Sequence, residues 1–600
     1  MRFLAFVLAA FIGFGSIGHA AEPIAAPLPP LMAWKGASLK LVAKAQDPWI
    51  SPGEESGLTR SPDYARTRAF AEKMVAQSPL LSLEVFGRTP EGREMIALRA
   101  HKSTSAPDSS PKPVILVQAG IHAGEIDGKD AGLMLLRDIA FRGKQSLLDH
   151  VDIVFVPIFN IDGHERASAF NRPNQRGPVI QGWRTNAQNL NLNRDYLKAD
   201  TPEMQAMIGL IRKYQPVLYL DLHVTDGTDH QYDIAFAFAG WEGLYAQSPQ
   251  IGQWLDQRLR PAVFAALKKA GHQPGYYVNA LDERDPDKGI VQDPDPPRFS
   301  TGYGDLAHIP TVLVETHSLK PYRQRVLGTY VLVEAAVRLV GADARRLTAA
   351  IASDRASRPT QLPLRWKMLD APIRTEKFLG IAHETYLSPA SGRQEIRWLG
   401  RPVTLNMPVF GFAPELTAKL PVAWWVPPSA DRVIERMRLH GIVMEEMATP
   451  KQITLDRVRL VEPKLGPANE GHVPLSASGY VHEMQAVIMP AGSVRVPSDQ
   501  PLGLLAAAML EAESPDSFLA WNFFPGILQR TEYIEGYVIA PMADAMLASD
   551  PALKAQFEAK LVEDPVFAAS ADARLQWFYA RSPYYDARFL LYPVGREVAP

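Results

Sequence analysis

The 600-residue chain contains no cysteine. Disulfides, thiolate metal ligands and a cysteine nucleophile are therefore excluded, and any transition-metal site must be built from imidazoles and carboxylates. Net charge is also scarce. Lys and Arg number 63 against 65 Asp and Glu, a formal charge of −2. That balance gives no electrostatic reason to expect nucleic acid or an anionic membrane as partner. After the first twenty residues no apolar run is long enough to suggest a span of a bilayer, so no integral membrane segment is expected once a leader is removed. The sequence also lacks internal repeats, low-complexity tracts, a P-loop, a dinucleotide fingerprint and a nucleophile elbow.

The first twenty residues are different. "MRFLAFVLAAFIGFGSIGHA" has Arg2, an apolar stretch from Phe3 to about Phe14, and small residues ending at Ala20. This pattern predicts a secretory signal peptide over residues 1–21. An exported chain without disulfides fits the bacterial periplasm better than eukaryotic secretion. Six hundred residues exceed one ordinary core, so two or more domains are expected. The 51 prolines suggest long ordered loops rather than helical bundles.

Residues 22–60 read as a Pro-rich surface arm. "SPDYARTRAFAEKMVAQ" reads as a helix capped by Ser61 with Pro62 in its first turn. "LSLEVFGRTPEGREMIALRAHK" reads as a hairpin turning at Thr89–Gly92. Apolar strand candidates follow at 113–119, 151–158, 216–222, 233–239 and 310–315. Helical patterns lie at 126–141, 202–214, 248–270 and after 320. Continuous Val/Ile/Leu strands alternating with helices predict an α/β domain over 61–345, with a mostly parallel sheet covered on both faces. Residues 360–450 read as a β-rich region of short strands and turns, and 451–600 as an α+β region. Trp424 and Trp425 read as core or domain-contact residues.

Functional groups of sheet enzymes sit on loops at the carboxyl ends of strands. The first such end carries "GIHAGEID", with His122 and Glu125 three residues apart. The second carries "NIDGHER". His223 ends "LYLDLH", and Glu315 ends "TVLVE". Two His and one Glu suit a catalytic zinc ion, whose fourth position stays open for water. A further carboxylate outside the ligand set can serve as general base. On this reading His122 and Glu125 share a tight turn because both reach one ion, and Ala123 and Gly124 let the backbone curl. Each piece alone has a plainer reading: a chance H-x-x-E, a hydrogen-bonded core His223, or Glu315 paired with an arginine.

The order H-x-x-E, N-x-D-G, W-R, N-R-D, a strand-ending His and a strand-ending Glu resembles the zinc carboxypeptidase family of carboxypeptidases A and B. It is carried by His122 and Glu125, Asn160-Ile161-Asp162-Gly163, Trp183-Arg184, Asn193-Arg194-Asp195, His223 and Glu315. The resemblance covers roughly residues 60–340. It implies one Zn²⁺ per chain held by His122, Glu125 and His223, with Glu315 activating water and Arg184 stabilising the oxyanion. Asn193 and Arg194 would hold the free C-terminal carboxylate of a peptide substrate. A substrate-capping Tyr is usual in the family; Tyr303 is the nearest candidate, with Tyr276 and Tyr277 as alternatives. The specificity pocket does not align. His317 shares a strand face with Glu315 and could tune it or simply pack. Asp226, Asp229 and His230 could form an outer layer of the site or an Asx-turn loop. Other readings are a related zinc amidohydrolase acting on N-acyl amino acids or murein peptides, and a non-catalytic peptide-binding protein on a peptidase scaffold.

Overall fold

The computed structural model describes residues 27–103 and 111–599. The leader reading of residues 1–21 lies outside them. Among the described residues no helix is long and apolar enough to cross a membrane.

Eight strands form the central sheet: β1 (Leu81–Arg88), β2 (Glu94–Ala100), β3 (Val114–Ala119), β4 (Asp152–Val156), β5 (Leu218–Val224), β6 (Ile234–Ala237), β7 (Pro274–Tyr276) and β8 (Thr311–Thr316). Their spatial order is β1-β2-β4-β3-β5-β8-β6-β7. The middle is parallel, from β4 through β3 and β5 to β8. Antiparallel pairs join β1 to β2, β2 to β4 and β8 to β6, and β7 runs parallel to β6. The result is a mixed α/β domain with a mostly parallel sheet. β4 and β5 are buried at every residue, which requires cover on both faces and matches their unbroken apolar runs.

The helices Asp127–Phe141, Arg260–Ala270 and Tyr322–Ala356 pack together, while Pro202–Tyr214 packs on β1. The first described helix of any length is Tyr64–Gln77, and its cap is Asp63, which accepts from Arg66 N at 2.7 Å. Ser61, expected to be the cap, instead donates its hydroxyl to Asp130 at 2.9 Å.

The second half differs from the expected short strands. A long hairpin pairs Arg374–Leu387 with Gln394–Phe410. Its Val409 adds in parallel to Ile290 of the first domain. A six-stranded antiparallel sheet orders Glu445–Glu446, Val494–Pro497, Ala423–Val426, Leu591–Glu597, Lys451–Val461 and Gly479–Met489. It draws strands from both sides of residue 450, so the expected boundary there does not coincide with a structural one. The helical segment Tyr322–Ala356 kinks at Asp343, where the backbone leaves helical geometry. Trp424 and Trp425 are fully buried in this sheet, their indole N–H groups donating to Glu511 and Glu597 at 2.8 Å each.

Candidate metal centre and active site

The chain leaves β3 through Gly120, at φ +70°, where a Cβ would sit 2.9 Å from Ile126. A tight turn follows, with Glu125 N donating to His122 O at 2.9 Å. A Cβ on Gly124 would meet Arg172 Cγ at 2.6 Å and Gly182 O at 2.8 Å, so glycine is needed here for close approach of a second loop. His223 ends β5. On the adjacent β8, Glu315 is its register partner.

His122, Glu125 and His223 are all buried, and their potential ligand atoms lie within 4.8 Å of one another. Glu125 Oε1 is 3.0 Å from His122 Nδ1, and Oε2 is 3.1 Å from His223 Nδ1. The other ring nitrogens each lie close to a polar side-chain atom. His122 Nε2 faces Asn191 Oδ1 at 3.0 Å, and His223 Nε2 faces Asp221 Oδ2 at 2.9 Å. Asp221 is itself held by Gln118 Nε2 at 2.8 Å. Outer partners of this kind fix the tautomer and leave the opposite nitrogen for a metal. Both imidazoles therefore present Nδ1 to one point beside Glu125, and the donor set fits zinc.

Charges around the cluster are layered. Arg172 Nη2 lies 2.8 Å from Glu125 Oε1, and Arg184 Nη1 lies 3.4 Å from both Glu125 Oε1 and His122 Nδ1. Burial pushes His122 down to about 4, so it is neutral as a ligand must be. Burial alone would raise Glu125, but His122 and Arg172 outweigh it and hold the carboxylate ionised. Burial also opposes charge on His223, yet Asp221 holds it well above the usual imidazole range. A metal bound at Nδ1 would have to displace any proton held there. Glu315 is buried, and its Oε2 has no hydrogen-bond partner. Burial raises it well above the usual carboxylate range; His223 opposes this, and Glu125, Asp226 and Asp221 reinforce it. A carboxyl in this state is suited to accepting a proton.

The remaining motif residues divide. Asn160 ties loops together, donating to Ile121 O at 3.3 Å and Arg184 O at 3.2 Å while capping Gly163 N at 2.9 Å. Asp162 accepts from Thr89 at 2.8 Å and Arg93 at 2.6 Å. Asp195 accepts from Thr201 N at 2.9 Å and pairs with Lys198 at 2.6 Å. These three shape the loops. Asn193 Oδ1 accepts from Ser300 N at 3.3 Å, and the Arg194 guanidinium lies 4.1 Å above the Phe299 ring. Tyr303 is not brought to the cluster: its helix, Ser300–Leu306, turns the buried phenol to His440 Nδ1 at 3.1 Å. Tyr277 is the tyrosine that feels Glu315, whose charge, with burial, raises it well above its usual value. His317 contacts Asp229 at 3.1 Å and His230 N at 3.2 Å, and His230 bridges to Gly380 of the long hairpin, so this group joins the two halves.

Sequence reasoning missed Arg172, Asn191 and Asp221. Asp221 precedes His223 by two on a strand and so shares its face, a usable signal. Asn191 alternates with Asn193 in "NLNLNRD". Arg172 has no local signature.

The family model described as zinc carboxypeptidase matches residues 67–228. That span holds His122, Glu125, Arg184, Asn193, Arg194 and His223, and ends before Glu315. Carboxypeptidase 2 of Trichophyton rubrum is 22% identical over 520 residues, covering 82% of this chain and 89% of its own. Coverage that large must include part of the second half. The inactive metallocarboxypeptidase ECM14 of Saccharomyces cerevisiae is 35% identical over 115 residues, 17% of this chain and 26% of its own. A solved metallo-carboxypeptidase from Burkholderia cenocepacia is 22% identical with a TM-score of 0.34, covering 47% of this chain and 69% of that one. The family match falls within the first domain, and a β-rich C-terminal region follows that domain.

Proposed function

We propose that the protein is an exported zinc metallocarboxypeptidase that removes C-terminal residues from peptides. The observation that carries this reading is the convergence of His122 Nδ1, His223 Nδ1 and Glu125 on one point, with Glu315 paired in register beside His223. Carboxypeptidase-named relatives and the family match support the same class.

The residues divide the work as follows. Arg194, stacked on Phe299, offers a guanidinium fork to the substrate's terminal carboxylate, with Asn193 at its side. Arg184, about one-third exposed beside the cluster, faces the scissile carbonyl and stabilises charge developing on its oxygen. Glu315 takes the proton of the attacking water and passes it to the leaving amine. Tyr277 stands where it can contact bound substrate. Zinc, when bound, supplies Lewis acidity and lowers the pKa of water toward neutrality.

The inactive relative favours a second reading, a peptide-binding protein without turnover; retention of Glu315 speaks against it. One experiment separates them: zinc analysis of the purified protein with release of amino acids from matched free-acid and amidated peptides. Zinc near one per chain and turnover restricted to free acids is expected. Equal turnover of amidated peptides would exclude a carboxypeptidase, and zinc with no turnover on any peptide would favour the binding protein.

A further inference from the structure

A loop of the second half reaches the proposed active site. Residues Asn469–His472 close a two-residue turn, with Asn469 N donating to His472 O at 2.8 Å and His472 N donating to Asn469 O at 3.0 Å. Glu470 and Gly471 occupy its corners at φ +48° and +81°. Two successive positive φ values are the pattern of a type I′ turn, which favours Asn, Asp or Gly. Glutamate has no intrinsic preference for the left-handed region, so contacts outside the turn must hold it there. The turn is clamped on both sides. His472 Nε2 meets Asp200 Oδ2 at 2.6 Å, and its ring stacks on Phe523 with centroids 5.0 Å apart. A Cβ on Gly471 would lie 3.3 Å from Leu190.

What Glu470 meets in this position is Asn191. Its Oε2 accepts from Asn191 N at 2.7 Å. Asn191 in turn is the hub of a short turn. Its Oδ1 lies 3.0 Å from His122 Nε2 and accepts from Asn193 N at 3.0 Å, while its carbonyl accepts from Arg194 N at 3.0 Å. One residue therefore touches a proposed metal ligand and ties down both members of the proposed carboxylate-binding pair. Charge enters as well. Burial and the neighbouring Arg184 lower Arg194, and Glu470 opposes them. Arg194 thus feels a carboxylate of the protein before any substrate arrives, and like charges compete for one guanidinium.

We propose that Glu470 is a positioning residue of the active site, supplied by the second half: its hydrogen bond holds the turn from Asn191 to Arg194, and its charge sets how tightly Arg194 receives a terminal carboxylate. This rests on the carboxypeptidase reading above. Two substitutions separate the roles. Gln keeps an acceptor for Asn191 N and loses the charge. Gly loses both and suits the left-handed backbone.

The test uses the full chain. Zinc affinity is read by chelator competition. Calorimetry on the zinc-loaded protein then compares L-leucine, L-phenylalanine and L-arginine with their amides. Glu470→Gln should keep wild-type zinc affinity, bind the free acids at least threefold tighter and bind the amides no tighter. On free-acid peptides its KM should fall at least threefold while kcat moves less. Glu470→Gly should weaken zinc at least threefold and forfeit the gain seen with Gln, at unchanged circular dichroism. Free-acid affinity of Glu470→Gln equal to wild type overturns the charge role, and zinc affinity of Glu470→Gly equal to wild type overturns the positioning role; peptide cleavage would stand in both cases. Tighter free-acid binding by Glu470→Gln with no cleavage of any peptide overturns the carboxypeptidase reading and supports the role of Glu470.

Discussion

Glu315 and His223 lie side by side on neighbouring strands, and opposite neighbours govern their protonation. Asp221 raises the imidazole well above its ordinary range, and burial, reinforced by nearby carboxylates, raises the Glu315 carboxyl well above its own. A cation at the cluster reverses this balance, because the ion becomes the largest local charge. Glu315→Gln keeps the shape but cannot take a proton. We expect zinc at wild-type stoichiometry and kcat lower by about 10²–10⁴; lost zinc would make Glu315 a ligand. Asp221→Asn removes the anchor of the proposed ligand His223 rather than the ligand itself. Zinc affinity should fall about 10–100-fold, read by chelator competition. Undiminished affinity would mean that Asp221 does not orient His223. At this scale the sequence was most informative where spacing along a strand brings side chains to one end of the sheet, as for His122, Glu125, His223 and Glu315. It misled at Tyr303, because distance along the chain from Glu315 does not say which way the helix Ser300–Leu306 turns a phenol.

Two helices test how the elements sit. On Asp127–Phe141, a Cβ at Gly132 would overlap the Phe155 ring of β4. In an exposed helix Gly→Ala stabilises by up to about 1 kcal/mol. Here Gly132→Ala should instead destabilise by roughly 1–3 kcal/mol through overpacking, measured by urea unfolding; an unchanged midpoint would show the helix standing further off the sheet. Glu203 lies in the first turn of Pro202–Tyr214, after the Thr201 cap. A carboxylate there suits the helix dipole, but burial raises Glu203 from 4.5 to about 7. Its folded value exceeds its unfolded one, so its contribution is fully present below pH 4.5 and is lost as pH rises through about 7. Glu203→Gln should therefore raise Tm more at pH 8 than at pH 5, by up to about 3 kcal/mol in stability. An equal shift at both pH values would rule out this titration. The parallel strands were legible because burial on both faces leaves unbroken Val, Ile and Leu runs. The long hairpin was not: Arg374–Leu387 and Gln394–Phe410 are largely half-exposed, and Pro402 and Pro408 interrupt their alternation.

The two halves share a core. Leu362, Leu364, Trp424, Met437 and Leu505 belong to the same buried cluster as Leu116, Phe155 and Val314. Polar contacts cross as well: Glu470 accepts from Asn191 N at 2.7 Å, His472 meets Asp200 at 2.6 Å, Arg298 pairs with Asp516 at 2.7 Å, and His440 contacts Leu197 O at 2.9 Å. Asn191 also contacts His122, so Glu470 of the second half buttresses a proposed metal ligand of the first through one residue. Trp424 was legible as a core or domain-contact residue, but the polar contacts were not, because Glu470 and Asp516 lie in loops without periodicity and their partners are more than 200 residues away. A chain ended after Ala356 would keep every motif residue. It would also strip the shared core and leave Asn191 N, Asp200 and Arg298 without these partners. We expect that truncation to aggregate, or to melt roughly 10 °C or more below the full chain, and to hold zinc more weakly. The full chain should show one dominant calorimetric transition carrying both sheets. The helices from Gly536 to Tyr579 are the exception, since Ile539, Phe557, Phe567 and Trp577 form their own small cluster; their amides should exchange with solvent ahead of the rest. A soluble truncation with wild-type Tm and zinc affinity would show instead that the first domain stands alone and that the second is an appendage.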